Sequence, residues 1–216
     1  MSKVIDFKYL NLFKIIKMNC AITSFNLACS GAVLYLLLGV FALPLWASVL
    51  KLATYIADLY RCKLQEKLAD NNIGFLNSRY MFIQYIETAI TIFAYVTLLY
   101  YLKIGLLMIL LSNILNAISR AYFVAYSTLI DDLITCRKAN NRTAFYAQLD
   151  TVANTASIIG TMINAAIYYL ASMIHIKEID VYYFFCCFYA FTKIIDLFCS
   201  IVEKIEVDKM IIYSKE

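Results

Sequence analysis

Long apolar stretches separated by short charged segments make up most of the chain. In 104–111, for example, no position is polar or charged, whereas a strand of a membrane β-barrel alternates apolar and polar residues. About 20 residues of α-helix cross a bilayer core of roughly 30 Å. The pattern therefore predicts an all-α polytopic membrane bundle with about six transmembrane helices. The predicted spans, within a single transmembrane domain over 1–216, are approximately 18–40, 43–60, 80–102, 104–130, 149–174 and 181–202.

The composition also favours a protein embedded in lipid. Hydrophobic residues account for 63% of the chain and charged residues for 16%, against about 45–50% and about 25% in a soluble domain. The five Gly and one Pro favour continuous helices, because both residues weaken helical runs. The spans leave no room for a sizeable water-soluble domain, so we expect the function to lie in the membrane.

The distribution of Lys and Arg predicts the orientation in the bilayer. These residues concentrate at the N terminus, in 61–79, in 131–148 and after 203, while the turns between are poor in them. By the positive-inside rule, both termini are then cytoplasmic, in a plasma membrane of the bacterial inner-membrane type, and the first span is a retained anchor. Orientation accounts for the net charge of +4, so nucleic acid is not an expected partner.

Three neighbouring spans carry polar residues at helical spacing, which places them along one face of each helix. The rows are Gln84, Glu87, Thr88, Thr91 and Tyr95 in the third span, Asn113, Asn116, Arg120 and Ser127 in the fourth, and Asp150, Asn154, Ser157, Thr161, Asn164 and Tyr168 in the fifth. We take as candidates for a transport pathway Glu87, Asn113, Asn116, Arg120, Asp150, Asn154 and Asn164.

Charged residues inside the spans are the strongest functional signal. A charge at the bilayer centre costs at least about 2.5 kcal/mol and commonly marks an ion or substrate path. Glu87 and Arg120 lie on adjacent predicted helices and form a plausible internal pair. Lys193 and Asp196 stand three apart on one face of the sixth span, and we expect them to neutralise each other.

The uncharged polar residues admit a second interpretation. Ser, Thr and Asn rows also join membrane helices through interhelical hydrogen bonds, each worth about 0.6 kcal/mol on average, without lining any cavity. The sequence leaves this interpretation and the pathway interpretation open.

No arrangement of residues in the sequence is typical of catalysis or of a cofactor site. The seven Cys are scattered with no Cys-x-x-Cys pair, and the single His175 has no neighbouring ligand, so we expect no metal and no cofactor. The sequence has no Gly-rich phosphate loop and no Ser/His/Asp set. We therefore expect that the chain has no catalytic residues and is not an enzyme.

Four stretches in the middle of the chain carry a resemblance to a transporter family. They read Ser119-Arg120-Ala121-Tyr122-Phe123, Ser127-Thr128-Leu129-Ile130-Asp131-Asp132-Leu133, Asn140-Asn141-Arg142 and Ala156-Ser157-Ile158-Ile159-Gly160-Thr161. In this order they resemble the fourth and fifth helices of major facilitator superfamily transporters, most of all the efflux branch that exports drugs and siderophores. The fifth helix in that branch carries Gly-Pro-x-x-Gly-Gly, of which this chain keeps Gly160.

The resemblance implies a fold and a gate. Family members have two six-helix halves with the substrate between them, so this chain corresponds to the N-terminal half and implies pairing with a second copy or with another half-transporter. The family also carries an Asp-Arg motif between its second and third helices. The resemblance implies that Asp58 and Arg61, or alternatively the stretch with Asp70 and Gly74, hold a cytoplasmic gate.

Three functions remain open from the sequence. The first is a half-length facilitator that moves a small solute by alternating access, with the substrate, the direction and the coupling ion undetermined. The second is the permease subunit of an ATP-driven exporter, in which a separate ATPase docks on cytoplasmic segments such as 61–79. The third is a non-transporting or truncated membrane protein, because likeness of fold does not fix function.

Overall fold

The computed structural model describes the backbone of residues 2–41, 44–68, 73–135 and 142–215. Side chains within those segments are described except at 2–10, 32, 34–44, 47, 54, 65–80, 120, 123–143 and 211–215.

The described segments form six α-helices and no strand. They are α1 (Ser2–Phe41), α2 (Pro44–Leu68), α3 (Ile73–Leu98), α4 (Leu102–Thr135), α5 (Arg142–Met173) and α6 (Glu178–Lys215). The all-α prediction is confirmed for this part of the chain. Pro44 opens α2, where its missing N–H leaves no hydrogen bond unmade.

The helices are longer than the predicted spans. The charged segments at the N terminus and after 203 continue α1 and α6 as helix, and most of 61–79 and of 131–148 is helical rather than loop. Lys and Glu are good helix formers, so charge ends a membrane span without ending the helix. The turn between α5 and α6 places His175 at a φ of 56°, the left-handed conformation that commonly follows a helix end.

Four helices meet the requirements of a membrane span. Within the described residues, α3, α4, α5 and α6 each contain a stretch that is long and apolar enough to cross a bilayer. The chain is thus a helical membrane protein. It stays a prediction that α1 and α2 also span the membrane. The six-span topology and the cytoplasmic position of both termini stay predictions too.

Among the described residues, the helices pack mainly as a row in which each helix contacts the next. The extensive helix contacts in the described part join neighbours in the order α5, α1, α6, α3, α4, α2. If α1 changes places with α4, α2 with α5 and α3 with α6, the row reads the same in reverse. Every helix then has equivalent neighbours. The first three helices and the last three therefore occupy equivalent places in the row.

Two apolar clusters lie at opposite ends of the bundle. The first cluster comprises Leu12, Ile16, Met81, Ala121, Tyr122, Phe145, Val207 and Met210. The second cluster comprises Cys29, Val33, Leu50, Tyr95, Leu98, Leu106, Ala171, Val181, Tyr182, Phe185, Cys186, Tyr189 and Ala190. In α1, α3, α4 and α6, the residues of the two clusters are separated by a stretch of sequence that contributes to neither.

Two glycines allow close packing of helices. A Cβ atom added at Gly160 would lie 3.0 Å from the Cβ atom of Ala28 and 3.2 Å from the backbone oxygen of Phe25, so α5 lies close against α1 there. A Cβ atom added at Gly105 would lie 2.8 Å from the backbone nitrogen of Leu98. The hairpin of α3 and α4 therefore depends on the missing side chain of Gly105.

Candidate functional site: a buried polar layer

Polar side chains lie between the two apolar clusters, and most of them are buried or half-buried, whereas Thr23 is exposed. We call this set the polar layer, and its described members are Asn19, Thr23 and Asn26 on α1, Gln84, Glu87, Thr88 and Thr91 on α3, Ser112 on α4, and Thr192, Lys193, Asp196, Ser200 and Glu203 on α6. On α6 the layer runs from Thr192 to Glu203, which at 1.5 Å per residue is roughly 16 Å. The layer thus covers about half the thickness of a bilayer core.

The centre of the layer is an ion triad built from two helices. The ammonium nitrogen of Lys193 lies 3.3 Å from Oε2 of Glu87 on α3 and 3.5 Å from Oδ2 of Asp196 on α6. The Lys193 side chain is 13% exposed and the Glu87 side chain 5%. A buried charge needs a partner, and here one ammonium group pairs with two carboxylates, one on α3 and one on α6.

Both carboxylates also accept hydrogen bonds from neighbouring hydroxyl or amide groups. Thr23 donates a hydrogen bond of 2.6 Å to Oδ1 of Asp196, and Asn26 donates one of 3.3 Å to Oδ2. The hydroxyl of Thr91 donates to Oε1 of Glu87 at 3.0 Å. Each carboxylate therefore holds hydrogen bonds of its own, apart from the shared ammonium group.

A second set of hydrogen bonds surrounds Glu203. Its Oε2 accepts a bond of 2.6 Å from the amide of Asn19, whose oxygen accepts one of 3.3 Å from Ser200. Ser200 in turn accepts a bond of 2.9 Å from Nε2 of Gln84. The chain of bonds links α6, α1 and α3. The chain of bonds ends at Gln84, whose Oε1 atom is buried and has no hydrogen-bond partner among the described residues.

The structure brings only part of the predicted site together. The row on α3 is buried from Glu87 to Tyr95 and half-buried at Gln84, and Glu87 lies at the centre of the polar layer. Asn113 and Asn116 are half-buried on α4, while Asp150 and Asn154 are exposed on α5. The predicted pathway residues therefore lie on several different faces of the row of helices.

The pairing of Lys193 with Asp196 is confirmed, but the pair also includes Glu87. Arg120 lies on α4, and its side chain is outside the described residues, so its pairing with Glu87 stays a prediction. The cation that the described part of the chain places beside Glu87 is Lys193.

The row on α5 has mostly a packing role where it meets α1. Asn164 donates a hydrogen bond of 3.1 Å to the backbone oxygen of Ala28, and Ser157 donates one of 3.4 Å to that of Ser24. Thr161 donates to the backbone oxygen of Ser157 in its own helix. For Asn164 and Ser157 the interpretation as interhelical hydrogen bonds agrees with the contacts.

The predicted gate residues form a pair within one turn of α2. Nε of Arg61 lies 3.5 Å from Oδ1 of Asp58, and both side chains are half-buried. Their role as a gate stays a prediction. The alternative at Asp70 lies outside the described residues.

Several members of the layer are absent from the predicted site. Asn19, Thr23 and Asn26 follow one another at steps of four and three, and so do Asp196, Ser200 and Glu203. Both sets have the spacing of one helix face. This spacing is a signal of a polar face in the sequence. It is a weak one, because uncharged Asn and Thr cost little free energy in an apolar helix and Glu203 lies beyond the predicted sixth span of 181–202.

Comparison with protein-family models, with curated protein sequences and with solved structures finds no match to this chain. The function is therefore argued from the site itself.

Proposed function

We propose that this chain is a half-length membrane transporter of the facilitator type, which pairs with a second copy or with another half and moves a small polar solute by alternating access. The observation that carries the proposal is the polar layer between two apolar clusters. A transporter needs polar groups near the midplane to replace water around its solute, and a dry barrier on each side to prevent leakage.

The order of the helices supports the same proposal. Exchanging the first three helices for the last three preserves the neighbours in the row. Facilitator halves are built from two such three-helix repeats of opposite orientation. A bundle held only by apolar contacts has no need of this arrangement or of buried ions, which cost free energy in a membrane.

A flux assay tests the proposal without knowledge of the solute. The purified chain is reconstituted into liposomes that contain a mixture of small polar solutes, and mass spectrometry follows the loss of each solute. We expect at least one solute to leave faster than from protein-free liposomes. Glu87→Gln should slow that loss about tenfold or more, because it removes a charged hydrogen-bond partner in the layer.

The matched control is Lys209→Met, which removes an exposed charge from the same helix as Lys193 and should leave the flux unchanged. If no solute leaves faster than from protein-free liposomes, transport by a pair of identical copies is ruled out and a non-transporting protein is favoured. Flux that requires added ATP and a separate ATPase would instead favour the permease subunit.

A further inference from the structure

The row of helices divides into two groups of three. The first group contains α5, α1 and α6, and the second contains α3, α4 and α2. The main contact between the groups in the described structure is that of α3 with α6, which we call the seam. Smaller contacts join α1 to α2 and α4 to α6.

Hydrogen bonds within the first group are dense. Among the described side chains, five hydrogen bonds join α1 to α6. Asn164 and Ser157 tie α5 to the backbone of α1. Polar groups bonded at this density resist separation in a membrane, because lipid offers no replacement partners. These hydrogen bonds therefore join the three helices into one unit.

The second group is also held internally. The hydroxyls of Thr91 on α3 and Ser112 on α4 hydrogen-bond to each other. Gly105 on α4 lies against Leu98 of α3, without room for a side chain. The close approach of these two helices fixes their relative position.

Polar contact across the seam is sparse by comparison. In the described part of the chain it consists of the Lys193–Glu87 ion pair and the hydrogen bond from Gln84 to Ser200. The rings of Tyr95 and Tyr189 also meet there, edge to face, with centroids 4.3 Å apart. Apolar packing, which is not directional, adds to these contacts.

The ion triad is arranged so that Lys193 stays paired when the seam opens and Glu87 keeps a hydrogen-bond donor. Lys193 has Asp196 on its own helix at 3.5 Å, so it stays neutralised when Glu87 moves away. Glu87 keeps its bond from Thr91 on its own helix. Asp196 keeps its bonds from α1. Breaking a buried ion pair is normally costly because one charge is left alone, and this arrangement lowers that cost.

We propose that the seam between α3 and α6 is the moving joint of this protein, and that Lys193 releases Glu87 and keeps Asp196 when the joint opens. Opening separates the two groups along the polar layer and makes Gln84 and Ser200 accessible to water or to a solute. Only the admission of a solute through the opened seam rests on the proposed function, whereas the motion is a property of the bundle.

Distances between spin labels in lipid nanodiscs test the motion. One label is placed on Cys62, which is exposed on α2, and the other on Thr151→Cys, which is exposed on α5, with the other six cysteines replaced by Ala. This pair spans the seam. We expect two populations of distances, and Glu87→Gln should raise the ratio of open to closed by roughly tenfold, since it removes the charged contact across the seam.

A pair within one group is the matched control. Labels on Thr151→Cys of α5 and on Cys187, which is exposed on α6, should give one distance that Glu87→Gln does not change. The proposal is overturned if Glu87→Gln leaves the distances across the seam unchanged, or if it alters the distance within the group as much. Failure of Glu87→Gln to fold also overturns it, because the inference requires Lys193 to be adequately paired by Asp196 alone.

Discussion

Lys193→Met should lower the free energy of unfolding by about 3–5 kcal/mol, the cost of leaving buried charges without their partner. Methionine matches the length of the lysine side chain, so the change removes the charge and little volume. Two carboxylates, those of Glu87 and Asp196, lose their shared cation. The quantity to measure is the equilibrium free energy of unfolding in mixed detergent micelles.

A second substitution distinguishes lost charge from lost packing. In the Lys193→Met, Glu87→Gln double variant only Asp196 remains charged in the triad, and Asp196 keeps its bonds from Thr23 and Asn26. We expect the double variant to be more stable than Lys193→Met alone. A double variant that is less stable than either single variant would show that the two residues do not interact as an ion pair. Lys209→Met, which breaks an exposed pair with Glu206, should change stability by less than about 1 kcal/mol.

Gly105→Ala should destabilise the protein by about 1–3 kcal/mol, the usual cost of forcing an extra methyl group into a filled site. The new Cβ atom would lie 2.6 Å from two side-chain atoms of Leu98 and 2.8 Å from its backbone nitrogen. The side chain of Leu98 can rotate, but the backbone nitrogen moves only if α3 and α4 separate.

Gly31→Ala is the matched control for that prediction. Gly31 lies inside α1, and nothing stands within 4 Å of the position that its Cβ atom would take. Alanine favours a helix over glycine by about 1 kcal/mol, so this variant should be as stable as the wild type or more stable. Equal losses in the two variants would contradict the close approach of α3 to α4 at Gly105. Unfolding under the same detergent conditions measures both.

The sequence predicted the helical membrane bundle because its signal is local. Apolar runs of about 20 residues identify helices that can span a bilayer without reference to the rest of the chain. The ends of the helices were harder to predict, since Lys and Glu end an apolar run without ending a helix. The α1 helix begins at Ser2, and α6 continues to Lys215.

The centre of the site depends on which helices are neighbours, and spacing along the chain does not determine that. The sequence predicts a partner for Glu87 on α4, the helix that follows α3 along the chain. In the structure α3 contacts both α4 and α6, and the described cation beside Glu87 comes from α6. Asn26 and Asp196 are 170 residues apart in the chain. Contacts of this range follow from the packing order of the helices.

In a transporter that works by alternating access, the polar layer faces water from each side of the membrane in turn. The most direct measurement is the reaction of a single cysteine, introduced as Ser200→Cys, with a charged thiol reagent that does not cross the bilayer. The reagent is added to one side of sealed vesicles and then, in a separate sample, to the other. Cys186, buried in the second apolar cluster, serves as the comparison when it is the only cysteine retained.

We expect the cysteine at position 200 to react from both sides, while Cys186 reacts much more slowly from either. A cysteine at position 200 that stays unreactive from both sides, or that reacts from one side only, would contradict alternating access through this layer.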